Sequence, residues 1–575
     1  MVASEFDFIV VGSGPAGSSV AWRLANSKKA PSVLLVESGG LNSNIDFRVD
    51  GERWLTRFNP ELNYNYSTVP QKHVNNREIG YDRGRGLGGS SAINFCVWNI
   101  GPADDHDEIA RLAGDDDWKW ENARERYKRL EDYHGFAPDI PSGMERYLNP
   151  KPENRGRGGP IKIGMPKTWE PTLTKMMDIW AEAGYKLRAD LGDGEGVGLA
   201  VCPNSGFEGL RSTAADMVVN GPSNLHVVTN SQVVKVLFDG KKAIGIETIT
   251  GDKYHASKEI ILSAGTLDTP KILMHSGIGP KEQLSKFGIS IVHENGAVGQ
   301  NLVDHFHVSP TWERHETLDM AARIAFFHAS PEEKVAAREQ WQKHHTGPLA
   351  DIVTNTSLGM FKAPAVLASK EFADLPADRK RHLLAPTTPS YELILDGPPI
   401  EYFVDPANSR ALVAIYIFAM NQQARGSVTL QSADPKEPLL HDPNYFGHPY
   451  DRRVAIEATR EVLKVVESPA LGGVIIGPSA ISGAPKSSSD EDIMEYWKKT
   501  LVSTWHMAGT CKMGKSEKED SAVVDSKLKV FGVENLRVAD MSVVPIMPNN
   551  HTQTTAYLVG LTLGDKIVNE YGLDE

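Results

Sequence analysis

Cysteine is scarce in this chain. There are three among 575 residues, Cys96, Cys202 and Cys511, odd in number and far apart. That excludes a disulfide framework and a thiolate zinc cluster. Long hydrophobic runs are also missing. None approaches the ~20 residues that span a bilayer; the longest, Ala411 to Met420, is partly β-branched and aromatic and reads as a buried strand. Basic charge is in deficit, 61 Lys and Arg against 74 Asp and Glu for a net charge of -13. Nucleic acid and anionic membrane surfaces are therefore poor partners. Met1 to Asp7 has no basic segment ahead of an apolar run, and Gly572 to Glu575 matches no peroxisomal or reticulum-retention address. An intracellular location is the expectation, a cleaved leader aside.

What is present is an ordinary soluble balance, 40% hydrophobic and 23% charged. A chain of this length calls for two domains rather than one core. Phe8-Ile9-Val10-Val11 reads as a strand, Val20, Ala21 and Leu24 recur at helical spacing, and Val33-Leu34-Leu35-Val36 reads as a second buried strand. Together they predict a βαβ unit of a doubly wound sheet. Trp118 to Tyr133 has helical spacing, Asn154 to Gly159 reads as an exposed connector, and strands are expected in Leu225 to Phe238 and Glu259 to Ala264. The polar stretch Glu313 to Pro399 reads as helices and long loops of a second domain. Ala411 to Gln431 and Val465 to Ile476 read as parts of its sheet and flanking elements. Neither an internal repeat nor a low-complexity tract is visible.

The turn between the first two strands carries Gly12-Ser13-Gly14-Pro15-Ala16-Gly17, with Glu37 twenty residues beyond Gly17. In this context Gly12 permits the tight turn, Gly14 lets a pyrophosphate approach the backbone, and Gly17 allows close helix–strand packing. The helix N-terminus offers free N–H groups to phosphate, and Glu37 is placed to accept from ribose hydroxyls. A dinucleotide is expected here, NAD or FAD alike. A second glycine-dense segment, Gly84 to Gly89, leads into Ser90, Ser91, Ile93, Asn94 and Phe95. Such density brings backbone close to a ligand, and Ser90 and Asn94 can donate hydrogen bonds to it.

Two short polar clusters lie near the C-terminus: Thr504-Trp505-His506-Met507 and Pro548-Asn549-Asn550-His551-Thr552-Gln553. Histidine is the side chain best placed to take a proton near neutral pH. A redox dinucleotide beside such a base points to oxidation of an alcohol. Asn550-His551-Thr552 is formally a glycosylation acceptor, expected to be buried and unmodified. Asp115-Asp116-Asp117 reads as a solvated loop, and no metal is expected.

Several ordered segments resemble the glucose–methanol–choline (GMC) flavin oxidoreductases, nearly end to end. They are Gly84 to Asn94, Gly265 to Gly279, Val298 to His305, Arg425 to Leu430 with Asp442 to Tyr445, and Leu536 to Pro545. The resemblance implies FAD rather than NAD, and an α/β fold: a Rossmann-like FAD-binding domain interleaved with a substrate domain built on an antiparallel sheet with helices. The expected FAD-binding pieces are 1–165, 225–312 and 515–575, and the substrate pieces 166–224 and 313–514. Gly12, Gly14, Pro15, Ala16, Gly17, Glu37 and Ser38 would hold the AMP half, with the Val233 backbone and Ala264 at the adenine side. Arg85, Gly89, Ser90, Asn94 and Phe95 would lie along the pyrophosphate and flavin, Ala539 and Asp540 near the ribityl chain, and His551, Thr552 and Gln553 beside the isoalloxazine. Ile93 stands where some members attach flavin to a histidine, so the expected FAD is non-covalent.

The resemblance places His506 on the family's general base and His551 on its partner, which is asparagine in other members. Phe95, Trp505, His506 and His551 are the expected substrate pocket; His275 and His305 are expected to be structural. His551-Thr552-Gln553 is most similar to aryl-alcohol oxidases, Ile93-Asn94-Phe95 to methanol- and formate-type oxidases. The implied reaction is hydride transfer from a primary alcohol, or an aldehyde hydrate or hemiacetal, to flavin N5 with His506 as base. Its partners are a small-molecule alcohol and oxygen or another electron acceptor. A non-redox lyase or cyclase retaining FAD is the alternative. A flavin-binding protein without turnover and a nicotinamide dehydrogenase fit less well.

Overall fold

The first strand is buried on both sides because it sits between parallel neighbours. In the computed structural model, which describes residues 5–136, 140, 142–166, 169–315, 321–351, 356–405 and 410–575, β1 (Glu5–Val11) pairs in parallel with β2 (Val33–Val36) and with the strand Lys253–Leu262. Phe8, Ile9 and Val10 are fully buried between them. Leu225–Val228 extends the sheet beyond β2, again in parallel. On the other side Lys253–Leu262 forks. Its first half pairs antiparallel with Lys242–Thr248, and its last residues, Ile260 to Leu262, pair in parallel with Leu536–Val538. One sheet thus joins both ends of the chain.

Helix α1 (Pro15–Ala25) follows β1 directly, with proline at its first turn and Gly14 as an N-cap that makes no side-chain capping bond. Its first N–H groups therefore point outward without an intrahelical partner. The C-terminal helix Gln553–Glu570 packs on it so closely that a Cβ at Gly560 would sit 2.1 Å from the Ala16 carbonyl oxygen.

The second sheet is antiparallel, in the order Ile475–Pro478, Thr311–Arg314, Leu412–Ala419, Tyr391–Gly397, Ser357–Phe361, Gly198–Val201. Phe306–Val308 also pairs with Leu412–Ala419 and carries Val502–Ser503 on its other edge. The second sheet takes its first strand from Gly198–Val201 and is rejoined at Phe306.

Two expectations change. The polar stretch from 313 to 399 contains the helix Pro331–His344 but also two inner strands, Ser357–Phe361 and Tyr391–Gly397. Positions 316–320 and 352–355 of it lie outside the described residues. Tyr391–Gly397 was obscured because it buries Glu392 and Asp396, and internal partners rather than solvent satisfy the former. The stretch Asn154 to Gly159 is not exposed throughout. Arg155 is buried, donating to Glu131 at 3.3 Å and to Asp190 at 2.6 Å.

Candidate active site

Both glycine-rich segments meet at the C-terminal edge of the first sheet. Gly12 has φ +97°, and a Cβ there would lie 2.4 Å from the Ser263 carbonyl oxygen. A Cβ at Gly17 would lie 1.9 Å from the Gly12 carbonyl oxygen, whereas one at Gly14 would meet only the Cα of Gly89, at 4.0 Å. The first and third glycines are thus required by protein packing, and the second keeps an open face. Glu37 gathers the cradle. Its carboxylate accepts from Ser13 N at 3.0 Å, Ser13 Oγ at 2.7 Å, Gly39 N at 2.9 Å and Gly86 N at 3.0 Å. The ribose role expected of Glu37 therefore shares oxygens that already hold both glycine turns together.

A cavity of about 250 Å³ runs past this cradle. Gly12, Gly14, Pro15, Ala16, Glu37, Ser38, Gly89, Ser90, Asn94, Phe95, Val233, Ala264, Asp540, Thr552 and Gln553 all line it. Gly17, Arg85 and Ala539 do not. Gly17 is spent on helix packing, and Ala539 is fully buried at the end of its strand. Arg85 lies alongside Tyr64, its guanidinium 6.0 Å from the ring. Asp540 Oδ2 accepts from Gly265 N at 3.0 Å and from Thr269 Oγ1. Gln553 joins two walls, accepting from Asn94 Nδ2 at 2.9 Å and donating to the Val97 carbonyl at 2.7 Å.

At the other end of the cavity lie the histidines. His506 follows a sharp bend: Trp505 has φ +59°, a left-handed conformation costing about 1–3 kcal/mol for a non-glycine residue. Three bonds pin it. Trp505 N donates to Ser503 Oγ at 2.8 Å, Arg83 donates to the Trp505 carbonyl, and His506 N donates to Asp304 Oδ1 at 2.8 Å. Burial pushes the Asp304 carboxyl up to about 6, against the hydrogen bonds it accepts from Tyr445 and Ser503. The His506 and His551 rings meet edge to face with centroids 5.0 Å apart. Burial first, then the His551 and His305 imidazoles, holds His506 well below the ordinary histidine range.

Sequence reasoning missed four members of this site. Glu392 Oε1 accepts from His551 Nε2 at 2.8 Å; it comes from a strand with no recognisable motif. His305, expected to be structural, touches His506 directly, Nδ1 to Nδ1 at 3.1 Å. His307, two residues on and within the strand Phe306–Val308, stacks on Phe418 with centroids 4.8 Å apart. Arg57 lines the cavity beside Trp54. The spacing of His305 and His307, one just before and one within Phe306–Val308, was the available signal. His275, by contrast, lines the cavity near Lys271, away from this cluster.

The remaining expectations have clear positions. Asn550 is fully buried, so the formal glycosylation triplet is inaccessible. Asn549 Nδ2 donates to Asp105 at 3.0 Å and fixes the turn that carries His551. Asp115 and Asp117 each pair with Lys566 at 2.9 Å, which accounts for the acidic triplet. Among the described residues no helix is long and apolar enough to cross a membrane.

An uncapped helix N-terminus, two glycine turns and a histidine pair border one cavity, the arrangement expected of a dinucleotide-dependent oxidoreductase. The GMC oxidoreductase family model matches residues 6–307 and 422–560, and the chain belongs to that family of FAD oxidoreductases. It is 30% identical to an oxygen-dependent choline dehydrogenase of Brucella anthropi, over 98% of this chain and 96% of that one. It is 29% identical to patulin synthase of Aspergillus clavatus, over 96% and 90%. Among solved structures it is similar to formate oxidase of Aspergillus oryzae, with TM-score 0.88 and 26% identity over 99% of both chains. A fungal aryl-alcohol oxidase shares the fold, with TM-score 0.84 and 24% identity over 99% and 100%.

Proposed function

We propose that this protein oxidises a primary alcohol, or an aldehyde hydrate or hemiacetal, at the His506–His551 end of the cavity. The observation that carries the reading is the juxtaposition of these two rings, 5.0 Å apart, in the same cavity as the glycine cradle. The cradle fits FAD: the open face of Gly14, the uncapped start of α1 and the Ser263 hydroxyl, which has no partner among the described residues, all border the cavity. No residue that could carry a covalent flavin link stands at Ile93, so the bound FAD is non-covalent. When bound, FAD supplies the acceptor for a hydride leaving the substrate carbon.

The chain's own residues handle the proton. Losing hydride leaves positive charge on the substrate carbon unless the hydroxyl proton also departs, so a base is needed. His506 is half-buried, and its desolvated ring is held well below the ordinary histidine range, so it is neutral with a lone pair to offer. Its tautomer follows from His305. If the Nδ1–H of His506 donates to His305 Nδ1, the lone pair sits on Nε2, free for the hydroxyl; the reverse tautomer blunts the base. His551 Nε2–H is held by the Glu392 carboxylate, which supports a second proton on Nδ1; from there the ring would donate to the substrate oxygen and orient it. Asp304 holds the His506 backbone at its bend. Phe95, Trp505, His307 and Phe418 supply the surrounding aromatic wall, which excludes water.

The test is anaerobic addition of candidate alcohols to the yellow holoenzyme. Bleaching of the flavin band by a primary alcohol supports the reading, and recovery in air would identify oxygen as the acceptor. A band that no alcohol panel bleaches would turn the argument toward the lyase or cyclase alternative.

A further inference from the structure

Arg57 is a cation of the cavity that the proposed chemistry does not use. It sits in a short helical turn, Thr56–Phe58, on the substrate side of the cavity. Its guanidinium lies 4.9 Å from the Trp505 ring centroid and 4.1 Å from the Phe58 ring, so the plane is held by the aromatic residue next to His506. Nη1 donates to Asp82 Oδ2 at 3.0 Å. The other Asp82 oxygen is taken by Asn63 Nδ2 at 2.9 Å. Nε and Nη2 of Arg57 donate to nothing among the described residues. The side chain is 25% exposed, reached from the cavity mouth but shielded enough for its charge to count.

The space between this cation and the histidines is aromatic. Phe95 stacks on Trp54 at 4.5 Å and meets the Trp505 edge at 5.7 Å. His307 completes the wall; burial first, and the Arg57 charge second, hold it at about 3, so it adds no competing positive charge. The slot therefore combines an aromatic wall, the histidine pair and two guanidinium donors that no described residue occupies.

We propose that Arg57 anchors a carboxylate, and that the alcohol oxidised here is a ring-bearing hydroxymethyl compound with a carboxylate on the far side of the ring. This inference rests on the alcohol-oxidation reading above. Arginine's fork matches a carboxylate in two parallel bonds. Asp82 already neutralises part of the Arg57 charge, and the neighbouring Arg83 is turned to the Asp82 and Trp505 carbonyls, so a monoanion is favoured over a dianionic phosphate. A cationic alcohol would meet a guanidinium at the mouth and be repelled.

The experiment uses the FAD-loaded protein and three probes: 4-(hydroxymethyl)benzoate, its methyl ester, and benzyl alcohol. Flavin bleaching is followed anaerobically as a function of concentration, in the native protein and in Arg57→Gln and Arg57→Lys. The bound flavin spectrum confirms that each variant is folded. A charge-assisted pair of this kind corresponds to about 10–100-fold in specificity. The native protein should prefer the acid over its ester by that factor, chiefly through apparent affinity, and the preference should shrink at high salt. Arg57→Gln should bring the ratio close to one, and Arg57→Lys should restore part of it. Benzoate binding, read by tryptophan fluorescence without turnover, should weaken by a similar factor in Arg57→Gln. A native ratio near one, or a ratio unchanged in Arg57→Gln, overturns the anchor while bleaching by benzyl alcohol leaves the alcohol-oxidation reading standing. No bleaching by any probe in the native protein, with flavin bound, takes down both.

Discussion

Glu392 Oε1 lies 2.8 Å from His551 Nε2, joining a residue of the second sheet to the loop that leads into the C-terminal helix. Both groups are buried, so the contact is worth more than a surface pair and costs more to break. Glu392→Gln keeps the shape and removes the charge. Anaerobic flavin bleaching should slow by about 10–100-fold, the equivalent of one charge-assisted hydrogen bond, with the flavin spectrum unchanged. An undiminished rate would remove Glu392 from any role in orienting His551.

His506→Ala should cost about 10²–10⁴-fold in the bleaching rate, the usual contribution of a positioned base, with FAD still bound. His305→Phe preserves an aromatic ring but removes the acceptor that selects the His506 tautomer. A smaller drop is expected there, with a changed pH profile for flavin reduction. A His305→Phe profile identical to that of the native protein would make His305 mere packing.

His307 offers a stability test. Burial first, then Arg57 and His551, hold it at about 3, against about 6.5 in an unfolded chain. At pH above 6.5 it is neutral in both states and costs nothing. As pH falls from 6.5 toward 3, the unfolded chain takes up a proton that the folded one refuses, so native stability declines by about 1.4 kcal/mol per pH unit. His307→Phe, which can stack on Phe418, removes that loss. Denaturant titrations should find the variant gaining on the native protein by about that amount between pH 6 and pH 5; parallel curves would contradict the assignment.

The two glycine positions in the cradle should fail differently. Gly12→Ala puts a Cβ 2.4 Å from the Ser263 carbonyl oxygen at a φ of +97°, and should lower the melting temperature of flavin-free protein. Gly14→Ala meets nothing closer than 4.0 Å; it should fold normally yet bind less FAD, because the added methyl occupies the face offered to the pyrophosphate. Equal flavin content in Gly14→Ala and native protein would count against that face.

Acid precipitation of the native holoenzyme should release all its flavin into the supernatant, since Ile93 offers no atom for a covalent bond. A yellow pellet would require attachment elsewhere.

The sequence by itself determined the βαβ entry, the two glycine turns and the C-terminal histidines, because each depends on local constraints. A φ of +97° needs glycine, alternating β-branched runs need burial, and a proline at a first helical turn needs nothing upstream. It could not reveal Tyr391–Gly397, whose buried acids read as solvent-facing until His551 is brought against Glu392. Nor could it place His305 against His506, 201 positions away, or Arg57 against Trp505, 448 positions away. Those contacts are made only when the antiparallel sheet sets Phe306–Val308 beside Val502–Ser503 and the turn at Trp505 swings His506 inward. The two glycine turns proposed to cradle the cofactor are local and therefore legible in the chain. The surroundings of His506 and His551 are assembled from distant segments, because a single segment can cover a side chain on only one side.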